Sequence, residues 1–542
     1  MRVHIFTPRF EVARWLVTAV VLTGLIAAVS PMPRAEAAPA DTGSDPVVTV
    51  TGGPIRGLRT DGIVEYLGVP FAAPTTGENR FAPPQPAAPW TDLRPAITHG
   101  PQCPQASPMP LGIALQESSE DCLSIDIYVP QNAGETELPV MVWLYGGAFV
   151  LGSNAQYDSP TRLVREGKVI VAIPNYRVGP FGFLALPELA DSTGGVAGTY
   201  GTLDQQAALR WIQDNAAAFG GDPGNVTIFG ESAGGMSVCT QLASPLARGL
   251  YHRAIIESGS CARSPLAPPS KDIAFQRSAD YAASFGCHDP QTRLQCLRAL
   301  HADELTNSAT TQLNSMAVTW SPVLDGVVVT AAPEQALAAG AAHGMPLIVG
   351  SNADEGATFI ALLDYTRATV PTAADYLHWT RELFGDNADQ VVARYPLADF
   401  ATPAEAKERV ITDGFFACPA LFTAEAARSG GAQVWQYQFN DAPLGHNPLL
   451  PGAFHAAEIP YVFSALMGVA IPLPPTADQL SRHIQQSWAQ FAHTGDPVTA
   501  AFTGWPTTPG STLEMSSDRT TVGDSFTRQH RCDLWSGIGH IG

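Results

Sequence analysis

Lysine is almost absent from this 542-residue chain, because Lys168, Lys271 and Lys407 are the only three. Arginine therefore carries most of the positive charge, and the formal net charge is −20. A strongly acidic surface repels polyanions, which argues against nucleic acid and against anionic membranes as partners. The chain also lacks any low-complexity block, and this composition is typical of a globular protein.

The cysteines show none of the CxxC spacings that are typical of zinc or thioredoxin-like sites. The chain also has no P-loop and no glycine-rich dinucleotide motif between a strand and a helix. We therefore predict that neither a metal ion nor an organic cofactor is required. Instead, all eight cysteines lie after residue 37, and their even number suits disulfide bonds formed in an oxidising compartment.

Residues 1–37 have the organisation of a signal peptide. Three arginines precede an apolar run at 15–29, and a small-x-small cleavage pattern follows at 35–37. The run is shorter than the roughly 20 apolar residues that a transmembrane helix needs. We therefore predict cleavage, secretion and no stable membrane anchor, with an uncleaved anchor as the alternative. Removing four arginines and two glutamates with this segment would take the formal charge from −20 to −22.

Strand and helix patterns alternate after a short predicted linker at 38–46. Uninterrupted apolar runs of this kind are typical of strands that are buried on both faces of a parallel sheet. A helix pattern at 204–221 ends on glycines, as helices commonly do. The alternation predicts an α/β fold with a mostly parallel central sheet and helices on both faces. The predicted strands are at 47–53, 139–147, 168–177 and 225–230.

Residues 230–234 (GESAG) form a G-x-S-x-G motif between the strand pattern NVTIF and a helix pattern at 233–244. At such a strand-to-helix elbow, the serine adopts a strained backbone and its hydroxyl stands clear of the sheet. The motif therefore predicts Ser232 as a nucleophile, and an ordinary glycine-rich turn is the alternative. A serine nucleophile needs a base, an acid that orients the base, and donors for the oxyanion.

Two longer segments, at 219–235 and 119–130, resemble the signatures of the type-B carboxylesterase/cholinesterase family. The resemblance spans residues 47–535, which we predict to be a single domain, with 536–542 as a C-terminal tail. It implies the α/β-hydrolase fold, with long loop insertions that form an active-site gorge. Weaker similarities, in the family's order, are at 66–74, 174–184, 351–356, 455–463 and 491–497.

The resemblance also implies the other catalytic groups. It places the acid at Glu355, within Asp354-Glu355-Gly356, and the base at His455. From the residues alone, Asp354 is an alternative acid, and His446, in a Gly/Pro loop, is an alternative base.

The segment WLYGGAF (143–149) resembles the oxyanion loop of the family. The backbone N–H groups of Gly147 and Ala148 would then join that of Ala233. Tyr145 stands where many members carry histidine, and Ala148 stands where many carry a third glycine. The Ala148 methyl would crowd bulky groups, which disfavours esters of tertiary alcohols.

Two further residues have predicted supporting roles from their positions in the sequence. Glu231, just before the nucleophile, would hold a water molecule or orient His455, and its alternative is a satisfied buried carboxylate. Ser258 would be a hydrogen-bonding partner behind the catalytic residues.

The resemblance suggests three disulfide bonds, and the two cysteines that remain then form a fourth pair. The pairs are Cys103–Cys122, Cys287–Cys296, Cys418–Cys532 and, by elimination, Cys239–Cys261.

The substrate class follows from the segment between the first two cysteines. Choline-binding members of the family carry a tryptophan there, whereas residues 103–122 have none and are apolar at 108–115. We therefore predict a small uncharged ester with a short-to-medium acyl chain. A lipase or sterol esterase for long-chain esters and a catalytically silent binding protein of the same fold are the alternatives. The sequence does not predict an oligomeric state.

Overall fold

The structure is a computed structural model in which the residues from Asp45 onward form one compact unit. The predicted signal peptide, most of the linker, the apolar segment at 108–115 and His446 lie outside the described residues. The structure describes residues 45–105, 116–132, 134, 136–157, 160–262, 266–307, 319–367, 371–445, 447, 450–466 and 468–538.

Sixteen strands lie along the described part of the chain, and eleven of them form one large sheet. The strands are β1 (Val47–Val50), β2 (Gly53–Arg56), β3 (Leu58–Thr60), β4 (Ile63–Pro70), β5 (Arg94–Pro95), β6 (Ser124–Pro130), β7 (Leu138–Leu144), β8 (Ile170–Pro174), β9 (Gly221–Glu231), β10 (Arg253–Glu257), β11 (Pro346–Asn352), β12 (Gln433–Phe439), β13 (Ala465–Leu466), β14 (Val469–Ala470), β15 (Thr512–Met515) and β16 (Thr521–Gly523).

The large sheet has a parallel centre and antiparallel edges, in the order β16-β15-β12-β11-β10-β9-β7-β8-β6-β4-β3. Neighbouring strands from β15 to β8 in that order are parallel, whereas β16 and the strands beyond β8 pair antiparallel. This confirms the predicted α/β fold with its mostly parallel sheet. The strand predicted at 47–53 is β1, which belongs to a separate small sheet with β2 and β5.

Helices connect the parallel strands and cover both faces of the large sheet. The α-helices are α1 (Thr161–Gly167), α2 (Gly179–Phe183), α3 (Pro187–Ser192), α4 (Tyr200–Asn215), α5 (Ala233–Ala243), α6 (Lys271–Ala283), α7 (Arg293–Ala299), α8 (Ala302–Asn307), α9 (Pro333–Ala338), α10 (Gly356–Arg367), α11 (Ala373–Phe384), α12 (Ala388–Arg394), α13 (Pro403–Ile411), α14 (Cys418–Ser429), α15 (Ile459–Phe463), α16 (Pro475–Thr494), α17 (Phe526–Gln529) and α18 (Cys532–Gly537). A π-helix, Thr412–Ala417, joins α13 to α14.

Strand β7 shows why the predicted strands are apolar without interruption. Its side chains alternate between two cores, with Val140, Val142 and Leu144 in one and Met141 and Trp143 in the other. Helices α4 and α5 contribute to the first core, and α1 and α16 to the second. Because both faces are buried, no position along the strand is left for a polar residue.

One continuous helical stretch, Pro403–Ser429, is long and apolar enough to cross a membrane among the described residues. Since 89% of its apolar window is buried inside the protein, it has the surroundings of a core helix.

Four disulfide bonds are present, and they join the predicted pairs. They are Cys103–Cys122, Cys239–Cys261, Cys287–Cys296 and Cys418–Cys532.

Candidate active site

Ser232 lies at a sharp elbow between β9, which ends at Glu231, and α5, which begins at Ala233. Its backbone angles are φ 58° and ψ −124°, a conformation that is costly for a residue with a side chain. Its N–H donates a hydrogen bond to the Glu257 carbonyl at 3.0 Å, which ties the elbow to β10. A Cβ on Gly234 would lie 1.9 Å from the Leu144 carbonyl oxygen, so the elbow requires glycine there.

Glu355 and His455 meet at the carboxyl end of the sheet. Glu355 follows the end of β11 and is fully buried, and its Oε2 lies 2.5 Å from His455 Nδ1. Its other oxygen, Oε1, accepts a hydrogen bond from the Asn352 N–H at 2.8 Å. One carboxylate oxygen is thus held by the backbone, and the other fixes the imidazole.

Asp354, the alternative acid, contacts the loop that carries the histidine instead of the imidazole. Its N–H donates to the Ala453 carbonyl at 3.0 Å, and its Oδ2 accepts from the Ala453 N–H at 3.1 Å. Arg409 approaches its other oxygen at 3.5 Å. Asp354 therefore holds the loop before His455, and Glu355 is the carboxylate that contacts the imidazole.

The second imidazole nitrogen of His455 faces Glu231. Nε2 lies 3.2 Å from Glu231 Oε1, and the side chains of both residues are almost completely buried. Ser232 Oγ makes no hydrogen bond within the described part of the chain. The structure thus pairs Glu355 with His455, and the second imidazole nitrogen lies near Glu231, the residue before Ser232, without a hydrogen bond to its Oε1.

Four buried carboxyl groups form one cluster, and three of them, Glu231, Glu355 and Glu458, act on the single histidine. Burial raises the pKa of Glu231 and of Glu458, and it raises the pKa of Glu257 well above its ordinary range. Burial alone lowers the pKa of His455, but the carboxylates of Glu231 and Glu355 outweigh it and raise that pKa above its ordinary value. Carboxyl groups so close and so buried cannot all be ionised around one imidazolium, so part of the cluster is neutral at pH 7.

The loop Gly146–Phe149 lies directly beside the nucleophile. A Cβ on Gly146 would lie 2.8 Å from the Glu231 carbonyl oxygen and 3.1 Å from Ser232 Cβ. Gly147, Ala148 and Phe149 all have positive φ, at 115°, 53° and 59°. Ala148 packs against the apolar cluster that contains Ala233, the first residue of α5.

Comparison with known proteins gives one consistent answer. Residues 44–535 match the profile of the Carboxylesterase family. The chain is 37% identical over 476 residues to the para-nitrobenzyl esterase of Bacillus subtilis (strain 168), with 85% of this chain and 92% of that protein aligned. The chain belongs to the carboxylesterase family.

Other similar proteins are also esterases. The fumonisin B1 esterase of Sphingopyxis macrogoltabida is 35% identical over 472 residues, covering 84% of this chain and 83% of that protein. A solved PNB esterase structure has a TM-score of 0.76 and 35% identity, covering 91% of this chain and 100% of that chain. This carboxylesterase is therefore a hydrolase that acts on ester bonds.

A stacked tyrosine pair supports the loop Gly146–Phe149 of this carboxylesterase. The rings of Tyr145 and Tyr176 are 4.2 Å apart at 16°. The Tyr176 hydroxyl donates to the Tyr145 carbonyl at 2.6 Å, and the Tyr145 hydroxyl donates to the Tyr176 carbonyl at 2.8 Å. The tyrosine that stands in place of the more usual histidine thus fixes the start of the loop.

Sequence reasoning missed two of the buried carboxyl groups, Glu257 and Glu458. Ser258 Oγ donates to Glu458 Oε1 at 3.3 Å, so the predicted supporting serine contacts this carboxyl group. Glu257 Oε1 accepts from Trp488 Nε1 at 3.0 Å. A signal was present, because Glu257 directly precedes Ser258 in AIIESGS and Glu458 follows His455 by three residues.

Two aromatic rings that the sequence analysis also missed pack against the imidazole. The ring of Phe359, on α10, lies 4.9 Å from that of His455, and the ring of Phe416, on the π-helix, lies 4.7 Å from it. Neither residue belongs to a motif of the sequence. Within the described ranges, no group of three or more histidine, cysteine, aspartate or glutamate side chains is arranged to hold a metal ion.

Proposed function

We propose that this carboxylesterase hydrolyses uncharged carboxylic esters with short-to-medium acyl chains through Ser232, His455 and Glu355. The observation that carries the proposal is the 2.5 Å contact between Glu355 Oε2 and His455 Nδ1, at the elbow that exposes Ser232. This arrangement supplies a nucleophile, a base and an oriented acid, which are the parts that acyl transfer needs.

The first half of the reaction forms an acyl-enzyme. His455 Nε2, which lies near Glu231, turns to the Ser232 hydroxyl and takes its proton as Oγ attacks the ester carbonyl. Glu355 holds the imidazole and stabilises the positive charge that it gains. The bond between the carbonyl carbon and the alcohol oxygen then breaks, and His455 gives its proton to the leaving alcohol.

The second half releases the acid. His455 takes a proton from water, the water oxygen attacks the acyl carbon, and the proton returns to Ser232 Oγ as the acyl-enzyme bond breaks. In both halves the carbonyl oxygen becomes negative, and the N–H groups of Gly147, Ala148 and Ala233 donate hydrogen bonds to it. Ala233 N–H is suited to this task because the first N–H groups of a helix have no partner within the helix.

The test compares hydrolysis of p-nitrophenyl esters from C2 to C12 by the wild type and by Ser232→Ala. We expect the wild type to prefer short or medium chains and the variant to lose all but about a thousandth of kcat. Ser429→Ala, a serine-to-alanine change at an exposed position at the end of α14, is the control and should keep most of the activity. Equal rates for Ser232→Ala and the wild type would exclude this mechanism, and a preference for C12 would indicate a lipase.

We also propose that the protein is exported and that residues 1–37 are removed. The support is the arginine-rich start, the apolar run at 15–29 and the small-x-small pattern at 35–37. The mass of the protein recovered from the culture medium tests this, and we expect a chain that begins at residue 38. A full-length chain that stays with the membrane fraction would contradict the proposal.

A further inference from the structure

The π-helix Thr412–Ala417 contacts His455 and the residue that follows Glu355. At its start, Thr412 Oγ1 accepts a hydrogen bond at 2.9 Å from the N–H of Gly356, the residue after Glu355. Near its end, the Phe416 ring packs on the His455 ring at 4.7 Å. Short π-helical turns are rare and are frequent at functional sites.

Phe416 does not contact the imidazole alone. Its ring stacks on that of Phe359 at 5.3 Å and 20°, and both rings touch the His455 ring. The two phenylalanines thus limit how far the imidazole can tilt while Nδ1 stays on Glu355. When Nε2 turns toward the Ser232 hydroxyl in the proposed reaction, the imidazole therefore moves against the Phe416 ring, which the π-helix supplies.

A fully buried aspartate–histidine pair holds the π-helix in place. Asp413 is completely buried, and its Oδ1 lies 2.7 Å from Nδ1 of His530, which is also completely buried. Its Oδ2 accepts from the Tyr395 hydroxyl at 2.8 Å, and that hydroxyl accepts from Trp535 Nε1 at 2.8 Å. Both oxygens of this buried carboxylate are thus satisfied, which makes the arrangement costly to disturb.

Two of these partners, His530 and Trp535, come from the C-terminal segment, which we define as residues 526–538. The segment is tied to the helix after the π-turn by the disulfide bond Cys418–Cys532. A Cβ on Gly414 would lie 2.6 Å from the Trp535 ring, so the π-helix and the segment are in direct contact.

We propose that the Asp413–His530 pair positions the catalytic residues, because it fixes the π-helix that holds Phe416 against His455 and Thr412 against the Glu355 turn. His530 and Asp413 are positioning residues, since neither touches the reacting atoms. The proposal rests on the proposed function, in which His455 is the base. A purely structural role of the pair would lower stability and leave the chemistry of the folded enzyme unchanged.

The pair and the imidazole have different titratable neighbours, which makes a pH profile informative. The groups that face His455 are Glu231, Glu355 and Glu458. The carboxyl group that faces His530 is Asp413. The acid limb of the kcat/KM profile reports the pKa of the base in the free enzyme. A change at His530 therefore shifts this limb only if it moves the groups around His455.

The experiment compares His530→Ala and His530→Asn with the wild type on a short-chain p-nitrophenyl ester. We expect His530→Ala to lower kcat about tenfold or more with KM within about twofold, and to shift the acid limb of kcat/KM, because small misplacements of catalytic groups are costly. His530→Asn should recover much of the loss, since its amide nitrogen can donate to Asp413 Oδ1 from about the same place as Nδ1. If His530→Ala does not fold, Tyr395→Phe, which removes one donor to Asp413, should show a smaller loss of the same kind.

The matched control is His99→Ala, which breaks another 2.7 Å His–Asp pair. Its partner Asp126 lies on β6, near the opposite edge of the sheet, and also accepts from the Gly68 N–H. We expect His99→Ala to lower stability with wild-type kcat and pH profile. Folded His530→Ala and Tyr395→Phe with wild-type kcat and profile would overturn the proposal, as would an equal loss of kcat in His99→Ala. Activity that survives Ser232→Ala in the same assay would instead remove the proposed function.

Discussion

His455 is in contact with carboxylates through both of its nitrogens, and its protonation state decides whether it can act as a base. Glu231 Oε1 lies 3.2 Å from Nε2, and together with Glu355 it raises the pKa of the imidazole. A raised pKa keeps the imidazole protonated to higher pH, and a protonated imidazole cannot take the serine proton. Removing a neighbouring negative charge should therefore lower that pKa.

Glu231→Gln tests this electrostatic role. We expect the acid limb of kcat/KM to move to lower pH, because the neutral imidazole is then favoured at a lower pH. The measurement is the pH profile of kcat/KM on a neutral ester. Glu137→Gln, at an exposed position, is the control and should leave the limb in place. A shift of the limb to higher pH in Glu231→Gln would refute this account.

Glu257 gives a second prediction, on stability. Burial raises its pKa well above the ordinary value, so the folded protein keeps a proton that the unfolded chain releases above about pH 4.5. Stability is therefore fully present below that pH and falls as pH rises toward the folded pKa, by up to about 1.4 kcal/mol per pH unit. Glu257→Gln cannot ionise and removes this component.

The measurement for Glu257→Gln is the free energy of unfolding between about pH 5.5 and 7.5. We expect a shallower decline with pH than in the wild type, and an unchanged decline in the exposed control Glu137→Gln. Parallel curves for Glu257→Gln and the wild type would show that Glu257 is already ionised in the folded protein.

The residue-scale environment could be predicted only in part. Ser232 was predictable because the elbow is local, so strand, glycines and helix are adjacent in the sequence. Glu257 is different, since it lies beside Glu231 only through the pairing of β9 with β10. The packing of Phe359 and Phe416 on His455 likewise joins distant segments, and a pattern within one segment does not reveal such contacts.

At the scale of elements, the loop Gly146–Phe149, which we propose to bind the oxyanion, has a constrained backbone. A Cβ on Gly146 would lie 2.8 Å from both the Glu231 carbonyl oxygen and Oε2. Gly146→Ala should therefore push the loop from the nucleophile and lower kcat about a hundredfold, the usual loss for a missing oxyanion donor. Ala148→Gly, two positions on, is the matched control.

Ala148 has φ 53°, which glycine adopts easily. We expect Ala148→Gly to keep most of the kcat and to change the free energy of unfolding by less than about 1 kcal/mol. Steady-state kinetics on a short-chain ester compares the two variants. If both lose activity equally, the loop tolerates no change of backbone, and the contact of Gly146 with the elbow is not the cause.

Helices and strands could be predicted from the sequence where all of their residues lie in the same kind of environment. The helix predicted at 204–221 is present, but it begins at Tyr200 and ends in a short 3-10 turn at Ala216–Phe219. The π-helix had no local signal, because Asp413 within it is held by His530, which is 117 residues away in the sequence.

For the molecule as a whole, the parallel centre of the sheet was predictable because strands buried on both faces are apolar throughout. The antiparallel edges were not, since a short edge strand such as β3 or β16 has no distinctive pattern. Three disulfide pairs followed from the resemblance and the fourth followed by elimination, and the structure shows that their loops differ greatly in length. Cys418 and Cys532 are 114 residues apart, whereas Cys287 and Cys296 are 9 apart.

This difference in loop length gives a prediction about global stability. A cross-link restricts the unfolded chain more when it closes a longer loop, which amounts to roughly 5 kcal/mol for the Cys418–Cys532 bond and roughly 2.5 kcal/mol for the Cys287–Cys296 bond. We expect the double variant Cys418→Ala/Cys532→Ala to melt at a clearly lower temperature than Cys287→Ala/Cys296→Ala. Thermal melts under identical oxidising conditions provide the comparison, with the wild type in reductant as the lower limit. An equal or larger loss from the short loop would mean that native packing around Cys287, and not the entropy of the unfolded chain, determines what each bond contributes.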